Sequence, residues 1–409
     1  MVSNILAGGL AFLSIGISLW QWAVARRFPL HARLANPTFA PPVTLLKPLL
    51  GADAETRVCL ESWFRQDYPG PIQLLFGVVS PDDPAAAVVH QLIAANPDRG
   101  AELLVCGESL GANGKMSTLA QLQRHAHHDL LVISDADVCV PSDFLINLVA
   151  PLQNHAVGLV NCFYCLGNPS TFAMRCEAIA INADFWSQVL QAQSLKPLDF
   201  ALGAVIATRR AELDTIGGFA SLANYLADDY ELGNRIAQRG RRIVISPVVA
   251  ECREAPRNWR EVWTHQLRWA RTIRACRPVA HFFSVLGNAT LWSLLWVLVS
   301  VSSVRLSGNA FPGGASFSVI LPPAVTAYVA FLAIRVSIAV NLQSRLTRSR
   351  THYRDAWLVP VKDLLAVSIW GVSFLVNRVE WRERCYLVLP GGELTTVTHR
   401  KDKTGATPV

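Results

Sequence analysis

The chain has 409 residues, a formal net charge of +7 and a 51% share of hydrophobic residues, only modestly above that of soluble proteins. The basic residues flank apolar stretches and form no compact run interleaved with aromatic residues, which argues against a nucleic-acid partner. This distribution instead favours membrane topology and attraction to anionic lipid. The nine cysteines are irregularly spaced, which predicts buried thiols rather than a zinc site.

The first element along the chain is an apolar segment at the N-terminus. Residues 2–25 carry no charge and are long enough to span a bilayer as a helix. Arg26 and Arg27 follow directly, whereas a cleaved signal peptide carries its positive charge before the apolar run. We therefore predict a retained transmembrane anchor over 1–27, with its N-terminus outside and the following domain in the cytoplasm.

The middle of the chain, 38–256, alternates short apolar runs with helical patterns. The runs that predict buried strands are 43–46, 74–79, 103–105 and 130–134. Continuous apolar strands separated by helices are typical of an α/β domain with a mostly parallel sheet covered on both faces. In such sheets ligands bind beyond the carboxyl ends of the strands, so polar residues at those ends are the first candidates for a site.

Three acidic sites stand out in this domain, and two of them directly follow predicted strands. They are Asp82-Asp83, Asp135-Ala136-Asp137 and Asp228-Asp229. Each alone also fits a helix cap or a turn. Asp135 and Asp137 offer the hard oxygen ligands with which a divalent metal, Mn²⁺ or Mg²⁺, holds a nucleotide diphosphate. Asp229 could take the proton from an acceptor hydroxyl.

Two lysines complete the predicted donor site. Lys47 follows the first predicted strand. Lys115 ends the segment 111–115 at a helix start, where glycines allow a phosphate to approach the backbone closely. A solvated loop lysine is the alternative interpretation of Lys115.

Segment 257–278 has the pattern of an amphipathic helix at a membrane surface. The apolar face is formed by Trp259, Val262, Trp263, Leu267, Ala270 and Ile273. The arginines lie mostly on the other faces, which is typical of an interfacial helix and would place the pocket at the headgroup layer, where a lipid acceptor can enter. The alternative is an ordinary domain helix packed on the sheet.

The last part, 279–377, is predicted to be a C-terminal transmembrane region, followed by a cytoplasmic or exposed tail over 378–409. The runs 279–304 and 318–340 are long enough to span, with Arg335 near an end from which it could snorkel. The stretch 356–376 is less clear because it contains Lys362 and Asp363. A span is slightly favoured there over a re-entrant or interfacial segment.

The motifs recur in a family's order across more than half of the chain. They are Leu45-Leu46-Lys47-Pro48-Leu49, Gln66-Asp67-Tyr68-Pro69, Asp82-Asp83-Pro84, the segment 111–115, Ser134-Asp135-Ala136-Asp137, Gly217-Gly218-Phe219, Asp228-Asp229-Tyr230 and Arg268-Trp269. This set resembles the inverting GT-A type glycosyltransferases of families 2 and 21, and within them the ceramide glucosyltransferase-like branch. The resemblance implies a Rossmann-like GT-A domain between N-terminal and C-terminal transmembrane helices.

The resemblance also implies a reaction and its partners. A sugar would move from a UDP-sugar donor to a lipid hydroxyl at the membrane. Similarity to the bacterial hopanoid-biosynthesis glycosyltransferases implies N-acetylglucosamine transfer to a hopanoid polyol, and the ceramide branch implies glucose transfer to ceramide. The expected location is the bacterial inner (cytoplasmic) membrane, in a multi-pass chain with a cytoplasmic catalytic domain.

Roles for individual donor-site positions follow from the same resemblance. Asp83 would hold the uracil or ribose, and Asp135 with Asp137 would bind nucleotide and metal. Asp229 would be the base. Arg268 and Trp269 would hold the diphosphate or line the acceptor entrance.

The acceptor site is expected between the donor motifs and the base, over 171–202. Its apolar candidates are Phe172, Phe185 and Trp186. His265 departs from the family pattern, because the closing motif usually has Gln or Arg at this position. His265 could still donate a hydrogen bond, and we count it with the acceptor residues.

Two other functions compete with lipid glycosylation. A processive polysaccharide synthase would need more spanning helices than the three or four predicted here. A non-catalytic membrane scaffold with a degenerate nucleotide-sugar domain would be expected to lose some carboxylates, and all three acidic sites are present.

Overall fold

The computed structural model describes residues 2–34, 38–308, 317–381 and 384–396. Helices α1 to α14 are Val2–Arg27, Thr56–Phe64, Pro84–Ala95, Gly114–His125, Phe144–Val149, Phe172–Ile179, Trp186–Leu195, Arg210–Thr215, Asp228–Gln238, Trp259–Cys276, Pro278–Phe283, Ala289–Gly308, Phe317–Thr347 and Leu358–Ser373. Strands β1 to β11 are Val43–Pro48, Ile72–Val78, Ala101–Val105, Leu130–Ser134, Val138–Cys139, Val157–Leu166, Val205–Arg209, Arg242–Cys252, Arg378–Trp381, Arg384–Val388 and Leu394–Thr396.

The centre of the molecule is an eight-stranded sheet in the order β3-β2-β1-β4-β7-β6-β8-β5. Strands β1 to β4 run parallel, as do β6 and β8, whereas β7 and β5 are antiparallel to their neighbours. Successive residues Leu45 and Leu46 of β1 pack into different hydrophobic clusters, so both faces of the sheet are covered. The predicted α/β domain with a mostly parallel sheet is confirmed.

The sheet register brings the ends of several strands to one edge. Leu46 of β1 pairs with Ile133 of β4, so both strands end at the same level. The antiparallel strand β7 begins opposite Ser134, because that residue pairs with Val205. The backbone of Asp135 therefore meets the segment before β7, and its N–H donates to the carbonyl of Ala204 at 3.1 Å.

Among the described residues, two helices are long and apolar enough to cross a membrane. A bent pair of helices adds a third candidate if the pair is counted as one span. The two helices are Val2–Arg27 and Pro323–Thr347, which overlap the first and third predicted runs and extend beyond their C-terminal ends. They pack together through Phe12 and Phe331, whose rings lie 5.0 Å apart edge to face. The predicted run 279–304 forms the bent pair, with a 59° bend between α11 and α12.

Helix α14 lies in the stretch for which a span was slightly favoured. It has 16 residues, about 24 Å at 1.5 Å per residue, against about 30 Å of bilayer core. It is not among the described helices that meet the length and composition for a span. Lys362 and Asp363 are buried within the protein. The helix therefore favours the re-entrant or interfacial alternative.

A buried cluster of four charges joins the helices α13 and α14 to the sheet domain. Arg335 of α13 lies 2.9 Å from each carboxylate oxygen of Asp184 and 2.8 Å from Asp363 Oδ1. Lys362 Nζ lies 2.6 Å from Asp363 Oδ1 and also pairs with Asp184. Arg335 is thus not extended to the membrane surface, as its sequence position allowed, but paired inside the protein. Two positive and two negative charges compensate one another.

The described part of the predicted tail is folded. Strands β9 to β11 form an antiparallel sheet that docks on the central domain. The N–H of Leu226 donates to the carbonyl of Gly392 at 3.0 Å, and that of Leu394 donates to Asn224 at 2.7 Å. This small sheet therefore braces the segment that leads into Asp228 at the start of α9. Residues 397–409 of the predicted tail lie outside the described residues.

We predict that Asp363→Asn strongly destabilises the protein. The substitution leaves Arg335 and Lys362 with a single compensating carboxylate, on Asp184, in a buried site. Removing one partner of a buried pair costs about 3–5 kcal/mol. Unfolding in detergent, followed by tryptophan fluorescence, measures this loss.

Glu61→Gln is the matched control for this substitution. Glu61 pairs with Arg65 at 2.6 Å on the surface, with side-chain exposures of 32% and 70%. Loss of such a pair costs at most about 0.5 kcal/mol. Equal losses in the two variants would contradict a structural role for the buried cluster.

Candidate active site

Lys47 stands at the end of β1 but points into the protein. Its Nζ donates to Ser134 Oγ at 3.0 Å and to the backbone carbonyl of Asp135 at 2.5 Å. Burial lowers the pKa of Lys47 to about 8, although the charges of Asp137 and Asp135 oppose the shift. Lys47 therefore braces the turn that carries the acidic residues. Direct contact with a donor stays a prediction.

Lys115 connects two of the three acidic sites. Its Nζ lies 2.5 Å from Asp135 Oδ1 and 3.5 Å from Asp228 Oδ2. Burial alone would lower the pKa of Lys115, but the two carboxylates outweigh burial and raise it. The lysine is therefore not the solvated loop residue of the alternative interpretation. It holds together, within one ion-paired group, carboxylates that are distant in the sequence.

Gly111, four residues before Lys115, has a packing role that the sequence did not predict, while close phosphate approach at this segment stays a prediction. A Cβ at Gly111 would lie 2.5 Å from the carbonyl oxygen of Ala223 and 2.5 Å from Asn224 Oδ1. The neighbouring Asn113 donates its backbone N–H to the carbonyl of Ala223 at 2.7 Å. Gly111 thus allows the loop before α4 to pack against the loop before α9. This contact sets Lys115 beside Asp228.

Asp137 is half-buried in the turn between β4 and β5. Burial and the neighbouring charge of Asp135 raise the pKa of Asp137 to about 6, against the pull of Lys47. The described residues contain no group of three or more His, Cys, Asp or Glu side chains that could hold a metal. Two carboxylates nevertheless fit a divalent ion that keeps phosphate and water as its other ligands. A dication would relieve the repulsion that raises this pKa.

Asp229 begins α9 next to Asp228. Its Oδ1 accepts the N–H of Tyr230 at 2.8 Å. Burial and the charge of Asp228 raise the pKa of Asp229 to about 6, although Lys115 opposes them. A Cβ at Gly203 would lie only 2.8 Å from Asp229 Oδ2, so the segment before β7 closely approaches this carboxylate. A carboxylate with this pKa is ionised at neutral pH and still basic enough to accept a proton.

Asp83, a predicted donor-site carboxylate, has both of its oxygens bonded to backbone N–H groups of the protein. It caps α3 by accepting the N–H of Ala85 at 2.9 Å. Its two oxygens also accept the N–H of Gly51, at 3.0 and 3.1 Å. Among the described residues it forms no ion pair with Lys47 or Lys115. A nucleotide contact by Asp83 stays a prediction.

The amphipathic helix α10 contributes a wall of aromatic residues. The Trp269 ring lies 4.9 Å from His265, 6.0 Å from Phe185 and 6.5 Å from Tyr164. Trp269, which was predicted to contact the donor, therefore lies in the same aromatic wall as Phe185 and His265, which were predicted to contact the acceptor. Arg268 is half-buried on the same helix.

The two other predicted acceptor residues differ in position. Trp186 is fully buried, packs against Phe163 at 5.8 Å and donates its indole N–H to the carbonyl of Asn182 at 2.8 Å. Trp186 is therefore a core residue rather than part of a cavity wall. The prediction failed because the sequence alone does not distinguish these two roles for a large apolar side chain. Phe172 is exposed and lies 5.6 Å from both Trp259 and Trp357. These three rings form an aromatic group at the surface.

Two residues of this region were missed by sequence reasoning. Tyr164 of β6 has a pKa raised well above its usual value by burial, with added effects of Cys252, Asp229 and Asp137. It therefore lies near the catalytic candidates. Glu177 of α6 is a buried carboxylate that pairs with His265. The sequence signal for Glu177 was weak: a single acidic residue in a short, largely apolar helix that also contains Arg175.

We predict that Gly111→Ala disrupts the docking of the two loops. The new methyl group would collide with backbone atoms of Ala223, which cannot rotate away as a side chain can. Overpacking of this kind costs about 1–3 kcal/mol. Gly107→Ala is the control, since a Cβ there meets only Val79 O, at 3.7 Å. Thermal unfolding in detergent should separate the two variants, and equal stability would contradict the packing role.

Comparison with known proteins identifies the family. The profile of glycosyl transferase family 21 matches residues 7–394. Ceramide glucosyltransferase 3 of Caenorhabditis elegans is 22% identical over 370 residues, which is 90% of this chain and 77% of that protein. Ceramide glucosyltransferase 1 of the same organism is 27% identical over 221 residues, or 54% of this chain and 47% of that protein.

The solved structures include a mannosyltransferase from Pyrobaculum calidifontis in complex with GDP-Man and Mn²⁺. It is 21% identical, with a TM-score of 0.49, and the match covers 90% of this chain and 98% of that one. The family match is decisive because it extends over nearly the whole sequence. The chain belongs to glycosyl transferase family 21.

Proposed function

We propose that this glycosyltransferase is an inverting membrane enzyme that moves a sugar from a UDP-sugar to a lipid hydroxyl. The observation that carries the proposal is the ion-paired group around Lys115. The lysine contacts Asp135 and Asp228 at the edge of the sheet, directly beside Asp229. Candidate donor ligands and a candidate base are thereby held side by side.

The donor diphosphate would bind at the turn that carries Asp135 and Asp137. These two side chains would hold Mn²⁺ or Mg²⁺, which supplies neutralisation of the charge that develops on the leaving diphosphate. Lys115 would contribute a further positive charge to the phosphates, and Asp83 would hold the nucleoside. Arg268 and Trp269 of α10 would close the other side of the donor.

Asp229 would act as the general base. It would take the proton of the acceptor hydroxyl while that oxygen bonds to the anomeric carbon and the bond from this carbon to the diphosphate breaks. One displacement inverts the configuration at the anomeric carbon and needs no covalent intermediate. The raised pKa of Asp229, about 6, suits this role because the carboxylate is both ionised and basic near neutral pH.

The acceptor would enter from the bilayer, along the wall formed by Phe185, His265 and Trp269. The exposed rings of Phe172, Trp259 and Trp357 would lie at the membrane surface, where aromatic residues are favoured. Two donor and acceptor pairs are open: glucose with ceramide, as in the names of the relatives, and N-acetylglucosamine with a hopanoid polyol.

The orientation in the membrane follows from basic residues at the helix ends. Arg345, near the end of α13, donates to the carbonyl of Arg26, at the end of α1, at 3.1 Å. Both basic ends therefore lie on one side, next to the catalytic domain. By the positive-inside rule this side is cytoplasmic. We propose a multi-pass protein of the bacterial inner membrane with a cytoplasmic catalytic domain.

The direct test is a transfer assay on the full chain in detergent. UDP-glucose and UDP-N-acetylglucosamine are each combined with ceramide and with a hopanoid polyol, with and without Mn²⁺ or Mg²⁺. We expect a metal-dependent glycolipid that carries a single sugar. A polymer product would instead identify a processive synthase, and the absence of both product and UDP-sugar binding would refute the proposal.

Asp229→Asn is expected to lower kcat by about 10²–10⁴-fold, the usual contribution of a general base. UDP-sugar binding should persist, because the carboxylate acts on the acceptor. Asp98→Asn, an exposed position in the short 3-10 helix Pro97–Arg99 outside the motifs, is the control and should be fully active. An Asp229→Asn variant that retains normal kcat would exclude the base and favour a non-catalytic role for this residue.

The pH dependence gives a second test of Asp229. Because the base must be ionised, kcat/KM should fall as the pH drops through the pKa of Asp229, about 6. The charge of Asp228 raises this pKa, so Asp228→Asn should move the acid limb to lower pH, by up to about one unit. A limb that stays in place or moves to higher pH would contradict the assignment.

A further inference from the structure

Glu177 of α6 is a carboxylate whose side chain is completely buried. Three side chains donate to it: His265 Nδ1 at 2.7 Å and Gln266 Nε2 at 2.8 Å, both within α10, and the guanidinium of Arg257, which precedes α10, at 2.5 Å. Burial acts to raise the pKa of Glu177, but the hydrogen bond from His265 and the charge of Arg257 outweigh it, and the pKa is lowered. The side chain is therefore an ionised acceptor.

This pairing fixes the proton on His265. An ionised carboxylate can only accept, so the 2.7 Å contact requires a hydrogen on Nδ1. Arg257 also approaches Nδ1, at 3.2 Å, but a guanidinium only donates and cannot be the partner of an N–H. In the neutral ring Nε2 then carries a lone pair. Among the described residues, Nε2 has no hydrogen-bond partner.

The surroundings of the His265 ring disfavour a positive charge on it. Burial lowers the pKa of His265, Glu177 opposes this shift, and Arg268 and Arg257 add to it. Arg257 is itself paired with Glu254 as well as with Glu177.

Helix α14 also packs against α10, and its charged residues have partners elsewhere. Lys362 pairs with Asp184, and Asp363 pairs with Arg335, both in the buried cluster. Neither residue therefore counteracts the groups that lower the pKa of His265.

The pair lies on the acceptor wall of the site. The His265 ring contacts Trp269 at 4.9 Å, and Trp269 contacts Tyr164 at 6.5 Å. The charges of both Asp229 and Glu177 act on Tyr164, so this residue lies near both the catalytic candidates and the Glu177 pair. An acceptor bound along this wall would lie beside the imidazole of His265.

We propose that Glu177 is a positioning residue that holds His265 as its Nδ1–H tautomer, so that Nε2 accepts a hydrogen bond from a hydroxyl of the lipid acceptor. The proposal rests on the proposed function and adds the group that recognises the acceptor head. It also gives a role to His265, which stands where the closing motif of the family usually has Gln or Arg. An imidazole with an unprotonated Nε2 selects for a hydroxylated lipid head, since that nitrogen needs a donor.

Kinetics that separate the two substrates test the proposal. Glu177→Gln allows the other tautomer and ring flip, and should raise the acceptor KM about tenfold, the value of one hydrogen bond. The donor KM should stay within about twofold. His265→Phe keeps a ring beside Trp269 but has no nitrogen, and should raise the acceptor KM similarly. In the double variant the two effects should not add, because both act through Nε2.

Glu254→Gln is the matched control, because Glu254 pairs with Arg257 but not with His265. It should leave the acceptor KM within about twofold. A purely structural Glu177 would change kcat, both KM values and stability together, and its effect would add to that of His265→Phe. Should Glu177→Gln fail to fold, His265→Phe decides alone, and an unchanged acceptor KM overturns the proposal.

The native chain separates this inference from the proposed function. Absence of any transfer by the native chain refutes the function itself. Normal transfer by the native chain together with an unchanged acceptor KM in both variants overturns only the roles of Glu177 and His265 in binding the acceptor.

Discussion

The arrangement of the protein depends on the buried charge cluster of Asp184, Arg335, Lys362 and Asp363. Each of these groups would be very costly to bury alone, and only their joint assembly compensates the charges. Asp184 belongs to the sheet domain, whereas the other three belong to α13 and α14. The membrane-side helices and the catalytic domain must therefore dock in one register. The wall that carries Phe185, next to Asp184, is set by the same docking.

Interactions between charged groups also determine the properties of the candidate active site. Asp135, Asp137, Asp228 and Asp229 are gathered at one edge of the sheet, with Lys115 as the cation between two of them. The residual negative charge and burial raise the pKa of Asp137 and Asp229 to about 6. One local excess of carboxylates thus gives a carboxylate that is basic near neutral pH, and in the proposed function it would also offer ligands to a divalent cation.

The features predicted correctly from the sequence are those with a local signal. Apolar runs identified the parallel strands β1 to β4, and acidic residues after them identified the edge where Lys115 joins Asp135 to Asp228. Trp186 was misplaced because composition cannot distinguish a core tryptophan from a cavity wall. The docking of β9 to β11 was missed because it depends on backbone contacts with residues about 170 positions earlier. Glu177 was missed for the same reason, since its partners come from another helix.

A π-helical turn over Ala180–Phe185 explains how one segment serves two charge networks. In a regular α-helix, residues seven apart share a face, so Glu177 and Asp184 would point the same way. The wider π turn rotates the later residues relative to the earlier ones. Glu177 then faces α10 and His265, while Asp184 faces Arg335 and Lys362. Separating the two carboxylates lets each pair with its own cations, and Phe185, the residue after Asp184, contacts Tyr164 and Trp269.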